Sequence, residues 1–311
     1  MKIKPFAVLI SLLFLTSCSS QNNTSVNPST LPATSAPPTA FKSAGDLKVH
    51  YIDVGQGDSI LVQTPGGKVM LIDAGKKEDG DKVVNYIKSQ GIQKIDILVN
   101  TNPADDHIGG LTQVVNSFEV TRAYIPRKYV SSPAQTDFLN AVDAKKVKLN
   151  QILSISDLGI DPLVGIQVLA PSSYNYTELG DYSAVIKLNY GDNSFLFTGD
   201  AQSASEKEML SKDYSLESTV LKVSCHGAGT ATTPDFLKAV SPKYAVISVG
   251  KGNSLGNPAK ETLDKLSSAN VQIYRTDEMG TIVATTDGLT LKFDTGVSPS
   301  KSATPVPSKA E

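Results

Sequence analysis

Tryptophan is absent from this chain, and histidine and cysteine are scarce, with three and two residues among 311. Cys18 falls in an N-terminal leader, so Cys225 is left without an intrachain disulfide partner. A formal net charge of −2 and a pI near 6.0 exclude a general attraction to nucleic acid or anionic membrane. The 40% apolar content is enough for a sizeable core that does not need disulfides.

The longest N-terminal apolar run, residues 6–15, is too short to span a bilayer. Lys2 and Lys4 precede it, and residues 15–18 (Leu-Thr-Ser-Cys) resemble the lipobox of bacterial lipoproteins. An ordinary secretory signal and an uncleaved anchor are the alternatives. We therefore expect residues 1–18 to be a lipoprotein signal peptide, with Cys18 lipidated. Such an anchor holds a protein at the outer, extracytoplasmic surface of the cell membrane without a transmembrane helix.

Residues 19–45 and 296–311 consist largely of Ser, Thr, Pro and Ala. Such segments bury too little apolar surface to order themselves, so we expect a disordered tether and a disordered tail. Residues 46–295 then form one folded domain. Removing residues 1–17 takes away Lys2 and Lys4, which brings the formal charge from −2 to −4.

Apolar alternation within this domain predicts three short strands in hairpins over residues 47–72, the first of them over residues 47–54, followed by alternating helices and strands. Residues 81–90 are predicted to be a helix, and residues 95–99, 151–155 and 220–223 to be strands. This order predicts an α/β domain in which two sheets pack together with helices outside.

Four polar clusters follow predicted strands: Asp73, Asp106-His107, Asp200 and Cys225-His226. Strand ends are where binding sites gather in layered α/β folds. A single Asp there is more often a turn or helix-cap residue, and His50, within an alternating strand, is expected to be structural. Taken together, however, carboxylates and imidazoles are the ligands of a divalent metal.

The motifs resemble one family throughout the domain. They are residues 51–59 (Tyr-Ile-Asp-Val-Gly-Gln-Gly-Asp-Ser), residues 71–75 (Leu-Ile-Asp-Ala-Gly), residues 198–200 (Thr-Gly-Asp) and the segment 244–281. The chain resembles the metallo-β-lactamase superfamily, and within it the metal-dependent hydrolase domain of the DNA-uptake competence protein ComEC. The resemblance implies a four-layer αββα sandwich with a metal site.

The chain departs from the family at several ligand positions. The family loop Thr-His-Pro-His-Ala-Asp-His-Ile-Gly-Gly has Asn102 and Ala104 here in place of two histidines, and Cys225 and Asn257 replace two more family histidines. The resemblance then implies that one of two metal positions is lost. Asp106, His107, Asp200 and His226 remain to hold one ion, zinc or manganese, or none, and Asp106 is the expected catalytic residue. Cys225 is expected to be packed rather than a ligand.

Three functions stay open. The lost histidines favour an inactive or impaired fold that serves as a binding module. A mononuclear hydrolase of nucleic-acid phosphodiesters, with DNA as partner, is the alternative, and a scaffold acting on cell-wall or small-molecule esters is a third. A basic cluster over residues 122–148, including Arg122, Arg127, Lys128 and Lys145, is typical of a solvated face, and the net charge argues against tight DNA binding.

Overall fold

The computed structural model describes residue 41, residues 43–152, residue 154 and residues 157–296. Cys18, the predicted signal peptide, nearly all of the predicted tether and the tail from residue 297 lie outside the described residues. Phe41, inside the predicted tether, packs edge-on against Tyr190 with ring centroids 5.2 Å apart. In the described part of the chain, no helix has both the length and the apolar content to cross a membrane.

The first sheet has eight strands within the described residues, ordered β14-β13-β1-β2-β3-β4-β5-β6. Strands β13, β1, β2 and β3 pair antiparallel, whereas β3, β4, β5 and β6 pair parallel. The strands are β1 (Leu47–Tyr51), β2 (Ile60–Gln63), β3 (Val69–Ile72), β4 (Lys94–Val99), β5 (Glu119–Ile125), β6 (Lys148–Gln151), β13 (Ile282–Thr286) and β14 (Leu291–Thr295).

The second sheet has six strands among the described residues, ordered β12-β11-β10-β9-β8-β7. Strands β9 to β12 are parallel, and β7 and β8 add an antiparallel edge. The strands are β7 (Gly165–Ala170), β8 (Val185–Tyr190), β9 (Asn193–Phe197), β10 (Val220–Lys222), β11 (Tyr244–Ile247) and β12 (Gln272–Arg275).

Helices cover the outer face of each sheet. The helices are α1 (Gly80–Ser89), α2 (Asp105–Ile108), α3 (Leu111–Ser117), α4 (Pro133–Ala144), α5 (Ser203–Leu210), α6 (Pro234–Val240), α7 (Lys260–Ser268) and α8 (Thr276–Met279). One apolar core lies between the sheets, and a further core lies under the helices on each side. These four layers confirm the predicted αββα sandwich.

Two element predictions were wrong in detail. The strand predicted over residues 151–155 includes residues 153 and 155, which lie outside the described residues, and the observed strand is β6 at Lys148–Gln151. This edge strand pairs with β5 but has no buried side chain, so it shows no apolar alternation. The first strand ends at Tyr51 rather than residue 54. Residues 52–59 instead form a loop that approaches the polar clusters closely. A Cβ added to Gly57 would lie only 2.5 Å from the Asp106 carbonyl oxygen, so glycine is needed there.

Candidate metal centre

The polar clusters meet where strands of the two sheets end. Asp106 and His107 lie on α2, just after β4, and Asp200 follows β9. His226 lies in a short 3₁₀ turn, Ser224–Gly227, after β10. The parallel runs of both sheets therefore deliver these residues to one edge of the sandwich, as strand-end sites require.

The four predicted metal ligands face one another across a small space. His107 Nε2 lies 3.0 Å from Asp200 Oδ2, and His226 Nε2 lies 3.4 Å from Asp106 Oδ2 and 3.6 Å from Asp200 Oδ1. Both imidazoles are buried, whereas the side chains of Asp106 and Asp200 are 24% and 17% exposed. The cluster is thus closed beneath the histidines and open to solvent on the carboxylate side.

Each imidazole is held through its Nδ1 atom. His107 Nδ1 lies 2.8 Å from Asp73 Oδ2, and His226 Nδ1 lies 3.0 Å from the Ser248 carbonyl oxygen. An acceptor at Nδ1 fixes the ring orientation and directs Nε2 toward the cluster, as the outer partners of metal-ligating histidines do. Asp73 was among the polar residues noticed in the sequence, but its contact with His107 was not predicted.

Both Nε2 atoms and Asp200 Oδ1 are buried, and their contacts with oppositely charged atoms at 3.0–3.6 Å do not have hydrogen-bond geometry. Unpaired polar atoms cost free energy when buried, so their convergence on one space indicates a ligand. Two imidazoles and two carboxylates supply four nitrogen and oxygen donors, which suit zinc or manganese. Asp106, His107 and His226 bring their ligand atoms within 4.8 Å of one another and so fit a single divalent ion, with Asp200 in contact with both histidines.

The backbone at His226 is strained in a way that serves this arrangement. Cys225 and His226 have φ values of 48° and 54°, in the left-handed region that non-glycine residues rarely adopt. Each such residue costs of order 1–3 kcal/mol, and this strain is common at functional sites. Here it accompanies the placement of the His226 ring among the carboxylates.

The charges of the cluster shift the pKa values of its members. Burial alone would lower the pKa of His107, but Asp200 and Asp73 outweigh it and raise that pKa well above its ordinary value. Burial alone would raise the pKa of Asp200, but His107, His226 and Lys222 lower it. The pKa of Asp106 is also lowered, because His226 and His107 outweigh its burial. The carboxylates thus stay ionised, the form in which they bind metals, whereas the raised pKa of His107 means that an ion has to displace a proton from that ring.

A buried ion pair that the sequence analysis missed lies beneath the histidines. Lys222 Nζ lies 2.5 Å from Asp58 Oδ2, and both side chains are essentially inaccessible. Asp58 Oδ1 lies 3.5 Å from His226 Nδ1, and Asp58 Oδ2 lies 4.0 Å from His107 Nδ1. The available signals were a lysine in an otherwise apolar strand and the aspartate of the 51–59 motif. This pair supports the floor of the site.

At two of the substituted family positions, the side chains of Asn102 and Asn257 make structural hydrogen bonds. Asn102 Nδ2 donates to Ser183 Oγ at 3.0 Å, and Asn102 Oδ1 accepts from the Ala104 amide at 2.9 Å. Asn257 Nδ2 donates to the Cys225 carbonyl at 3.3 Å. Among the described residues, three groupings bring their possible ligand atoms within 4.8 Å of one another: Asp106, His107 and His226; Asp58, Asp200 and His226; and Asp58, Asp73 and His107.

Two further residues, Cys225 and His50, make structural contacts. The Cys225 thiol donates to the Asp200 carbonyl oxygen at 3.0 Å, and burial raises its pKa, so it stays protonated. His50 contacts Tyr86 Oη at 2.8 Å and Gln63 Oε1 at 2.9 Å. Burial lowers the pKa of His50 to about 4, which keeps the ring neutral. His50 therefore has the structural role expected of it.

The fold and this cluster define a class of protein. A family model described as the metallo-beta-lactamase superfamily matches residues 52–251, and the chain belongs to that superfamily. The solved structure of the metallo-beta-lactamase fold protein YhfI from Bacillus subtilis aligns with a TM-score of 0.53 at 13% identity, covering 76% of this chain and 99% of YhfI. At that identity the likeness shows the fold alone.

Within the superfamily the chain is ComEC-like. ComE operon protein 3 of Bacillus subtilis is 32% identical over 258 residues, which are 76% of this chain and 32% of the relative. Competence protein ComA of Neisseria gonorrhoeae is 26% identical over 284 residues, covering 90% of this chain and 35% of the relative. The chain thus spans about a third of the length of these relatives. The resemblance to competence proteins predicted from the motifs is confirmed.

Proposed function

We propose that this chain is a metal-dependent phosphodiesterase that works with one divalent ion, held by Asp106, His107, Asp200 and His226. The observation that carries the proposal is the convergence of two buried Nε2 atoms and the carboxylate oxygens of Asp106 and Asp200 on one space. A single ion with an open position supplies a Lewis acid that activates water at neutral pH and polarises an ester.

The chain's own residues orient the ligands and position the entering water. Asp73 and the Ser248 carbonyl orient the two imidazoles through Nδ1. Asp106, the more exposed of the two ligand carboxylates, faces the opening and is ionised, so it can accept a hydrogen bond from an entering water. Without a second ion, the leaving oxygen loses one source of charge stabilisation. We therefore expect slow turnover, in keeping with the impaired activity that the substituted histidines predicted.

Polynucleotide is the proposed substrate class. Its support is the similarity to competence proteins, because uptake of DNA exposes phosphodiesters outside the cytoplasm. A lipid anchor at Cys18 would place the domain at the membrane surface where such a substrate arrives. DNA and the membrane are therefore the proposed partners.

A non-catalytic binding module is the second candidate, and one observation favours it. Asn102 is bound on both sides of its amide, to Ser183 and to the Ala104 backbone. The position of the lost histidines is therefore stably closed by hydrogen bonds and no longer offers a metal ligand. In this candidate, the cluster is a structural remnant.

Metal analysis of the purified full chain separates the two candidates. After loading with zinc or manganese and removal of excess ion, we expect one equivalent, measured by inductively coupled plasma mass spectrometry. Asp106→Asn and Asp200→Asn should each remove most of the bound metal and the hydrolysis of bis-p-nitrophenyl phosphate, because each loses an anionic ligand.

The matched control is Asp105→Asn. Asp105 precedes Asp106 on the same helical turn but is exposed to solvent, so its variant should keep the metal and the activity. Absence of bound metal and of turnover in the unmodified chain would exclude the hydrolase and leave the binding module. Unchanged metal content in the Asp106 and Asp200 variants would contradict the proposed ligand set.

Anchoring through Cys18 is tested separately. In a bacterial host, Cys18→Ser is expected to abolish incorporation of labelled palmitate and to move the protein from the detergent phase to the aqueous phase in Triton X-114 partitioning, because the acyl chains are lost. Cys225→Ser is the control and should leave both properties unchanged. Equal palmitate labelling of the Cys18 variant would exclude lipidation at this residue.

A further inference from the structure

Two loops border the open side of the metal centre. The loop of residues 126–132 follows β5 beside the site loop, since the Asn100 amide donates to the Tyr124 carbonyl at 2.9 Å. The loop of residues 171–184 lies against both halves of the site: Ser183 Oγ accepts from Asn102 Nδ2 and from the Asp200 amide, each at 3.0 Å. Both loops therefore lie next to residues of the site.

Stacked pairs of cations and aromatic rings join the two loops. The Arg127 guanidinium lies 4.5 Å from the centroid of the Tyr174 ring, and Lys128 Nζ lies 4.6 Å from that of Tyr182. We call Arg127, Lys128, Tyr129, Tyr174 and Tyr182 the rim. Gln135 on α4 holds the first loop, because its Oε1 accepts from the Val130 amide at 2.7 Å. These contacts therefore fix the two loops, and with them the rim residues, relative to each other.

The outer rim residues face solvent with an unusual composition. Tyr129 is 64% exposed and Tyr174 is 51% exposed, so both rings are accessible to a ligand. Arg127 is exposed beside them. Of the other basic residues in the cluster noted in the sequence, Arg122 Nη2 donates to the carbonyls of Leu158 and Gly159. Arg127 and Lys128 instead lie on Tyr174 and Tyr182, in the loop that contacts Asn102 and the Asp200 amide.

Exposed aromatic faces beside cations fit one kind of polymer well. Single-stranded polynucleotide carries bases that stack on aromatic side chains and phosphates that pair with cations. Double-stranded polynucleotide offers only its backbone to such a surface, because its bases are already stacked and paired. A rim with two cations also accounts for how a domain of net negative charge can hold a polyanion locally.

We propose that the rim binds single-stranded polynucleotide and leads it to the metal centre, with Tyr129 and Tyr174 stacking on bases and Arg127 contacting phosphate. This inference rests on the proposed function for its substrate class, but binding is measurable without hydrolysis.

The experiment measures fluorescence anisotropy of a labelled oligothymidylate of about 20 nucleotides, long enough to exceed the 4–16 nucleotides typical of single-strand sites. The full chain is titrated in EDTA, so that metal-dependent cleavage does not occur. Tyr129→Ala and Tyr174→Ala should each weaken binding by about 5- to 160-fold, the range for loss of one stacked base. Tyr174→Phe should retain binding, because it keeps the ring.

Arg127→Ala should act through charge rather than stacking. Its slope of log affinity against log salt concentration should be shallower by about 0.7, the value for one phosphate contact on a single strand. Tyr129→Ala should leave that slope unchanged. The control Lys94→Ala removes an exposed cation at the start of β4, the end of that strand farthest from the metal centre. This variant should bind like the unmodified chain.

Several outcomes would overturn the inference. These are an unmodified chain that does not bind the oligonucleotide, rim variants that bind as well as Lys94→Ala, or equal affinity for the matching duplex. Because the measurement contains EDTA, such results leave the metal analysis and phosphodiester assay to decide the proposed function. Conversely, an inactive domain whose binding depends on Tyr129 and Arg127 would uphold the rim and support the binding module.

Discussion

Replacing Lys222 with Met should lower the free energy of unfolding of the domain by about 3–5 kcal/mol, the cost of breaking a buried ion pair on one side. Lys222 Nζ contacts Asp58 Oδ2 at 2.5 Å where neither side chain reaches solvent. Met keeps the length of the side chain but leaves the Asp58 carboxylate buried without its cation. Urea denaturation in EDTA measures the loss without any contribution from bound metal.

Two controls show whether the loss comes from the ion pair. Lys222→Met combined with Asp58→Asn should recover much of the stability, because no unpaired charge then remains. Lys187→Met tests a second buried lysine, whose Nζ donates to the Ser215 carbonyl at 2.7 Å rather than to a carboxylate, and it should cost markedly less. A Lys222→Met domain within about 1 kcal/mol of the unmodified domain, or a double variant as unstable as the single one, would refute this account.

The sandwich could be predicted because its buried strands have the apolar patterns that strands need. Residues of β3, β4 and β10 are buried along their length or nearly so, and apart from the buried Lys222 and the charged residues near the start of β4 their composition is apolar. Edge strand β6 has no such pattern, since Leu149 points outward and its neighbours are polar. Its position depends on backbone pairing with β5, which side-chain hydropathy does not report.

The metal ligands could be predicted for a different reason. Asp106, His107, Asp200 and His226 each follow a strand of a parallel run, and parallel strands deliver their ends to one edge. The contacts that orient those ligands could not be predicted in the same way. Lys222 meets Asp58 only because β10 packs across from the 52–59 loop, so the pair depends on how the two sheets are stacked.

The rim illustrates the same limit. Arg127 and Tyr174 belong to loops of different sheets, and their stacking depends on how those loops fold over the site. In the sequence, Arg127 and Lys128 belong to a longer basic cluster, and nothing in the sequence distinguishes these two residues from the others. The fold separates Arg122, which binds backbone carbonyls, from the two cations beside the metal centre. A charge cluster in the sequence therefore predicts a site poorly until the loops are placed.

Replacing Asp73 with Asn should weaken the affinity of the centre for zinc by about 10- to 100-fold, as loss of an outer partner of a metal-ligating histidine does. Asp73 accepts from the Thr101 amide at 2.7 Å through Oδ1 and contacts His107 Nδ1 at 2.8 Å through Oδ2. Asn has the same shape and tolerates the left-handed backbone at this position, where φ is 57°. The change therefore removes charge from the His107 contact with little cost in backbone strain.

Competition with a fluorescent zinc chelator measures the affinity, and urea denaturation in EDTA measures the stability of the metal-free domain. The control is Asp53→Asn, on the neighbouring loop, whose carboxylate caps the Gly55 amide and lies 3.6 Å from the Lys82 ammonium. It should leave the zinc affinity unchanged. If Asp73→Asn lowers stability but binds zinc as tightly as the unmodified chain, Asp73 is a structural residue. If affinity falls while the metal-free stability holds, Asp73 positions His107 for the ion, and the buried floor of the site is part of the metal centre.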